Sequence, residues 1–258
     1  ALWALGDYRA IAEQVVAPLG PELVAAAGIR AGDRVLDVAT GTGNAAFAAA
    51  ATGADVTASD LCPQLLEQGR ARAAASGIGI AFREANAEAL PFADAEFDAV
   101  LSCIGVMFAP HHQQSADELI RVCRPGGTVA VLSWTPEGFI GRLFATMKPY
   151  VAAPPPGVQS PPLWGDEGHV RALFGERVTG VEARRGTLAV DHFADGAAFR
   201  DYFKARYGPT IAAYRGIADD ADKVAALDAD LAALGDAGLA GSRAMGWEYL
   251  VITGQRRS

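Results

Sequence analysis

Between residues 34 and 134, five short apolar runs alternate with helix-forming segments, and that rhythm constrains the fold more than any other feature of the chain. The runs span 35–38, 54–59, 79–83, 97–103 and 128–134. Helix-forming stretches at 44–51, 63–76 and 112–123 separate them, the second with Pro63 in a first turn where a missing N–H is no loss. The third ends at Arg124-Pro125-Gly126-Gly127, where proline stops a helix and glycine turns the chain. Strands separated by helices imply a doubly wound, Rossmann-like α/β sheet, mostly parallel, with right-handed crossovers. Ligands of such sheets bind beyond the carboxyl ends of the strands. The loops after Asp37, Asp60, Arg83, Cys103 and Trp134 therefore share one rim.

The rhythm stops on either side. Residues 6–27 read as one or two amphipathic helices broken near Pro18-Leu19-Gly20-Pro21, so that 1–134 forms N-terminal helices plus a ligand-binding core. Residues 135–176 hold proline-rich pieces among Phe139, Phe144, Met147, Tyr150 and Trp164, and are expected to form an apolar lid over the rim. Residues 177–258 are expected to complete the sheet, with strands near 177–190 and 245–254 and a helical insert at 193–234 contributing to a pocket.

Composition narrows the partners. With 258 residues, 51% hydrophobic and 20% charged, the chain is long and apolar enough to bury a core, which excludes wholesale disorder. Thirty acidic residues against 22 basic ones give a net charge of -8. Without a basic stripe, nucleic acid is not the expected partner. No run approaches the ~18 apolar residues of a membrane helix, and the start ALWALGDYRA lacks the pattern of a secretory signal. Cys62, Cys103 and Cys123 are odd in number and lack CxxC spacing, which points away from a disulfide framework or zinc cage and fits a reducing cytoplasm. A monomer or a homodimer is expected.

The most informative segment is Val35-Leu36-Asp37-Val38-Ala39-Thr40-Gly41-Thr42-Gly43-Asn44-Ala45-Ala46. A small-residue turn between strand and helix lets a ligand approach the backbone and exposes helix N-terminal amides. Taken alone it also satisfies the GxGxxG/A dinucleotide fingerprint, or is a tight structural turn. Three neighbours favour another cofactor over a nicotinamide. Asp37 precedes the glycines at a strand end, Asp60 ends the second strand where a carboxylate can accept from both ribose hydroxyls, and Asn86-Ala87-Glu88-Ala89-Leu90-Pro91-Phe92 follows the third.

With Arg121-Val122-Cys123-Arg124-Pro125-Gly126-Gly127 before the fifth strand, this ordered set resembles the class I S-adenosylmethionine-dependent methyltransferases over residues 8–134. The likeness is to the small-molecule branch that includes the quinone C-methyltransferases. The resemblance implies S-adenosylmethionine as cofactor, with S-adenosylhomocysteine as product. It implies that Ala39, Thr40, Gly41 and Gly43 pass the methionine part, with Asp37 orienting loop amides and Tyr8 closing over the site. Asp60 would hold the ribose, Leu61 pack on adenine, Asn86 and the Ala87 amide read the adenine edge, and Ser102 and Cys103 line the wall near the sulfonium. Ala39 stands where many members have glycine, which ordinary backbone angles would accommodate; Asn86 replaces a common Asp and keeps an acceptor oxygen.

Methyl transfer from a sulfonium needs near-attack geometry in a dry pocket, and a general base only where the acceptor must lose a proton. Phe108-Ala109-Pro110-His111-His112 follows the fourth strand, so His111 and His112 are the candidate bases, His111 the nearer to the strand end. The same pair also suits a helix cap. Adjacent histidines do not have zinc-site spacing, and no metal is expected. His169 sits in a polar stretch expected at the surface. Trp3, Trp134, Phe139, Trp164 and Tyr207 are candidate contacts for a planar or hydrophobic small-molecule acceptor, a secondary metabolite or quinone-like ring, although each is also a plausible core anchor. A cyclase using the same scaffold, or a cofactor-binding regulator without activity, are the alternative readings.

Overall fold

The computed structural model describes residues 2–258. The alternating segment folds as the sequence implies. Strand β1 (Arg34–Val38) leads to α3 (Asn44–Ala50), β2 (Asp55–Asp60) to α4 (Pro63–Ser76), then β3 (Ile80–Glu84), β4 (Phe97–Cys103), α5 (His112–Val122) and β5 (Cys123–Trp134). Before them stand α1 (Tyr8–Gln14) and α2 (Leu19–Ala27), so the helix break falls at residues 15–18 and Pro21 lies inside the first turn of α2. With β6 (Val178–Val190) and β7 (Met245–Arg256) the sheet order is β3-β2-β1-β4-β5-β7-β6, a seven-stranded Rossmann-like sheet of the class I methyltransferase type. Strand β7 runs antiparallel between β5 and β6; the first five strands are parallel.

Parallel strands buried on both faces are apolar throughout. Val35, Leu36, Val100, Leu101, Val129 and Ala130 are accordingly sealed in the core. The Pro125-Gly126-Gly127 turn does not lie between helix and strand. Cys123 already pairs with Phe97 and Thr128 with Ala99, so the intervening residues loop out of β5 after pairing has begun. Arg124 Nε donates to Asp98 Oδ1 at 2.6 Å, holding that excursion against β4.

The region 135–176 is not a single lid. Helix α6 (Phe139–Met147) packs on α10 (Ala221–Leu239), whereas α7 (Glu167–Phe174) packs on α5 at the flank of the sheet. The split follows from sequence on each side: α6 presents Phe139, Ile140 and Leu143 to the cap, and α7 presents Val170, Leu173 and Phe174. The insert between β6 and β7 comprises α8 (Gly196–Arg206), α9 (Gly208–Gly216) and α10. Phe139, Phe199, Phe203 and Phe193 gather around Trp247 of β7, with Phe139 stacked on its ring at 5.4 Å between centroids. This aromatic cluster fixes the helical cap over the carboxyl ends of β4 and β5.

Candidate active site

The loop after β1 is built around a buried carboxylate. Asp37 Oδ2 accepts from Thr40 Oγ1 at 2.5 Å and from the Ala46 amide at 2.9 Å, stapling the turn to the first turn of α3. Its Oδ1 is buried without a partner. Burial pushes the Asp37 carboxyl up to about 7, against the hydrogen bonds from Thr40 and Ala46 that favour its charge. Ala39 does not have ordinary backbone angles: its φ is 54°, in the left-handed region that favours glycine. The reason is tertiary. A Cβ on Gly105 would lie 2.1 Å from the Ala39 carbonyl oxygen, so the loops after β1 and β4 pass in contact and dictate the local twist.

Asp60 ties the second rim loop to the first. Its Oδ2 accepts from Gly41 N–H and its Oδ1 from Cys62 N–H, both at 2.8 Å. Burial raises its pKa, and the amides of Cys62 and Gly41 work against that rise. Each oxygen keeps a further lone pair for a ligand hydroxyl. Leu61, directly after it, is 62% exposed, an unusual position for leucine. Asn86 Oδ1 accepts from Glu88 N–H at 3.0 Å and its carbonyl from Ala89 N–H, so this side chain shapes the third loop as well as facing the ligand space.

These loops enclose a cavity of about 690 Å³ including its mouth. Trp3, Tyr8, Ala39, Gly41, Asp60, Leu61, Asn86 and Ala87 all line it, so eight residues singled out from sequence converge there. Gly41 has φ 60°, and a Cβ on it would approach the Tyr8 ring at 3.1 Å, leaving a narrow bare-backbone cradle. A space with a carboxylate, a glycine cradle and an exposed leucine fits a nucleoside joined to an amino-acid tail.

Other expected residues lie off the wall. Asp37, Thr40 and Gly43 support the loop from behind. Ser102 is fully buried: its Oγ donates to Val38 O at 2.7 Å and accepts from Val106 N–H at 2.9 Å, fastening β4 to β1 rather than facing a ligand. Cys103 is half-buried and lines neither this cavity nor its neighbour. The wall expected from these two is made instead by Ile104, Gly105 and Phe108. Gly105 was the available signal, since a glycine after a rim strand marks close backbone approach.

A second, much smaller cavity adjoins the first and shares Trp3, Tyr8, Ile104 and Phe108 as walls. Trp134 and Tyr207 also line it, with Ile140, Phe203 and Trp247. Two expected acceptor contacts are absent from it. Phe139 is buried against Trp247, and Trp164 is fully buried 5.7 Å from the His112 ring.

Neither candidate histidine lines these two cavities. His111 donates its amide to Glu88 Oε1 at 2.7 Å, and its Nδ1 lies 3.2 Å from Glu88 Oε2, which clasps the β4 loop to the Asn86 loop. His112 is fully buried, with Nδ1 3.0 Å from His169 Nε2 and its own Nε2 unpartnered. Burial, helped by His169, pushes its pKa down to about 4, so the ring is neutral near pH 7. His169, expected at the surface, is half-buried and packs against His112. Among the described residues no metal-holding cluster exists.

Comparison with known proteins agrees with this geometry. Residues 35–127 match the family described as a methyltransferase domain. The chain is 56% identical over 255 residues to the uncharacterised protein Rv1403c of Mycobacterium tuberculosis, covering 99% of this chain and 93% of that one. It is 41% identical over 119 residues to a demethylmenaquinone methyltransferase of Thermus thermophilus, covering 45% of this chain and 54% of the relative. The crystal structure of the YcgJ protein of Bacillus subtilis superposes with a TM-score of 0.63 at 18% identity, over 93% of this chain and 98% of that one. Strand order and relatives thus converge: the chain has the class I methyltransferase fold, carries a methyltransferase domain over residues 35–127, and belongs to one family with Rv1403c.

Proposed function

We propose that this protein transfers a methyl group from S-adenosylmethionine to a small organic acceptor by in-line displacement. The observation that carries the reading is the juxtaposition of a loop-walled cavity holding Asp60 and Asn86 with an aromatic one across Trp3, Tyr8, Ile104 and Phe108. In this reading the Gly41 cradle takes the methionine part, Asp60 the ribose hydroxyls, Leu61 the adenine face, and Asn86 with the Ala87 amide the adenine edge. The bound cofactor supplies a methyl on a good leaving group. The chain's part is to align acceptor and methyl and to exclude water, which Trp3, Tyr8 and Phe108 do at the junction. His111 and His112 take no part as bases. The similarity to a demethylmenaquinone methyltransferase supports a planar ring as acceptor.

Isothermal titration is expected to show binding of S-adenosylmethionine and S-adenosylhomocysteine; absence of both would end the reading. Asp60→Ala should weaken that binding by more than about 1 kcal/mol, the size of a lost charge-assisted hydrogen bond. Unchanged affinity in that variant would refute the ribose role. Conversion of cofactor to S-adenosylhomocysteine with an acceptor present separates methyl transfer from a non-methylating reaction on the same scaffold.

A further inference from the structure

The space under the cap beside the larger cavity is walled for a ring but has no room for one. Trp134, Ile140, Phe203, Tyr207 and Trp247 line it, yet the gap among them admits about one water molecule. What fills the junction between the two cavities is the protein's own indole. The Trp3 ring meets Phe108, Tyr8 and Tyr207 edge-on, with centroids 4.5, 5.2 and 5.7 Å away. Edge-to-face contact at such distances is also how aromatic walls hold a bound ring.

Trp3 is the least anchored of the four tryptophans. Trp134, Trp164 and Trp247 are almost wholly buried, whereas Trp3 is half-buried in a three-residue turn, Leu2–Ala4, that has no fully buried residue. Among the described residues, the hydrogen bonds of segment 2–7 are local. Leu5 N–H donates to Leu2 O at 3.2 Å, and Asp7 Oδ1 accepts from Ala10 N–H at 3.1 Å. The segment rests on the cap by bare backbone contact instead. A Cβ on Gly6 would lie 2.2 Å from Arg206 O, and one on Gly208 2.5 Å from Leu2 O. The turn packs on α9 of the cap and on α4 of the core, so it bridges the two with no hydrogen bond to break on leaving.

We propose that Trp3 determines acceptor specificity: its indole stands where a planar acceptor of one or two rings binds, and such a ring enters by displacing it as segment 2–6 lifts from the cap. This rests on the methyl-transfer reading and deepens it by naming what sets the acceptor's size. A bicyclic ring matches what an indole vacates, and a larger one meets the walls made by Trp134, Phe203 and Trp247. Until an acceptor arrives, the indole keeps water out of the junction. Its presence also lowers apparent acceptor affinity, because only the fraction of molecules with Trp3 displaced can bind.

The test labels the protein with 5-fluorotryptophan, saturates it with S-adenosylhomocysteine and titrates 2-naphthol as a planar bicyclic probe. The resonance lost in Trp3→Phe assigns the Trp3 fluorine, and its shift between light and heavy water reads its exposure. The expected result is that 2-naphthol raises this solvent shift toward its value in the unfolded chain. Trp3→Ala should bind 2-naphthol at least about tenfold more tightly than the wild type, since no indole has to leave, with Trp3→Phe in between. Gly6→Ala keeps the indole but sets a methyl against Arg206 O, so it should expose the Trp3 fluorine without any probe and also tighten 2-naphthol binding. Should Trp3→Ala fail to fold, Gly6→Ala decides. Equal or weaker binding by the deciding variant would make Trp3 a wall that holds the acceptor, and would overturn the proposal. So would a Trp3 fluorine whose solvent shift does not rise with 2-naphthol, or a probe that binds none of these proteins. Failure of the wild type to bind S-adenosylhomocysteine would instead bring down the methyl-transfer reading beneath it.

Discussion

Ala39 and Ile104 line the same cavity and both have positive φ, 54° and 47°. For alanine the left-handed region costs about 1–2 kcal/mol, and glycine avoids that cost while gaining freedom in the unfolded chain worth about 0.4–1 kcal/mol. The strain term is the larger, so Ala39→Gly should stabilise the fold by up to about 1 kcal/mol in a denaturant titration. A loss of stability would mean that the alanine methyl packs more tightly than its backbone is strained. Ile104→Gly should behave oppositely, because relieving the same strain there removes a buried side chain.

The histidine pair makes a residue-scale prediction about pH. His112 is driven from its ordinary 6.5 to about 4 in the folded protein. The unfolded chain therefore binds the extra proton between those values, and stability supplied by the neutral buried ring is complete above pH 6.5 and falls as pH drops toward 4. Relative to His112→Asn, the wild type should lose stability on acidification across that window, at no more than about 1.4 kcal/mol per pH unit. Equal slopes in paired denaturation curves from pH 7 to 4 would count against it. Asp37 acts in the opposite direction, its raised pKa lowering stability as pH rises toward about 7, so the comparison must be made against the single variant.

At the level of elements, the third rim loop is held by two side chains of α5, Arg121 and Glu118. The Arg121 guanidinium donates to Leu90 O at 3.0 Å, Phe92 O at 2.8 Å and the carboxylates of Glu118 and Asp94, while Glu118 accepts from the Leu90 amide. Only partial exposure separates this cluster from solvent, so its worth is that of partly buried charged hydrogen bonds. Arg121→Met should cost about 1–3 kcal/mol and also weaken S-adenosylhomocysteine binding through a loosened Asn86–Ala87 loop. Calorimetric stability loss with unaltered product affinity would detach the clasp from the site.

At the scale of the molecule, cap and sheet meet through the aromatic cluster around Trp247. Phe139 is almost fully buried in it, and Phe139→Ala should cost about 3–5 kcal/mol by equilibrium unfolding. A loss below about 1 kcal/mol would show that the cap docks by other contacts.

The alternating core and most of the rim are legible in the residues because both are encoded locally: apolar runs of strand length, and Asp37, Gly41, Asp60 and Asn86 at or after strand ends. Loop contacts such as Gly105 against Ala39, and the clasp between Glu88 and His111, depended on segments brought together by the parallel sheet. The aromatics were settled only by tertiary structure. Phe139 and Ile140 are neighbours on α6, yet the turn of about 100° per residue sends one into the core and the other to the second cavity. Trp3 and Tyr207 are separated by most of the sequence, yet their ring centroids stand 5.7 Å apart. Hydrophobic attraction buries all such rings without direction, and only the packing of the cap over the sheet decided which of them would face an acceptor.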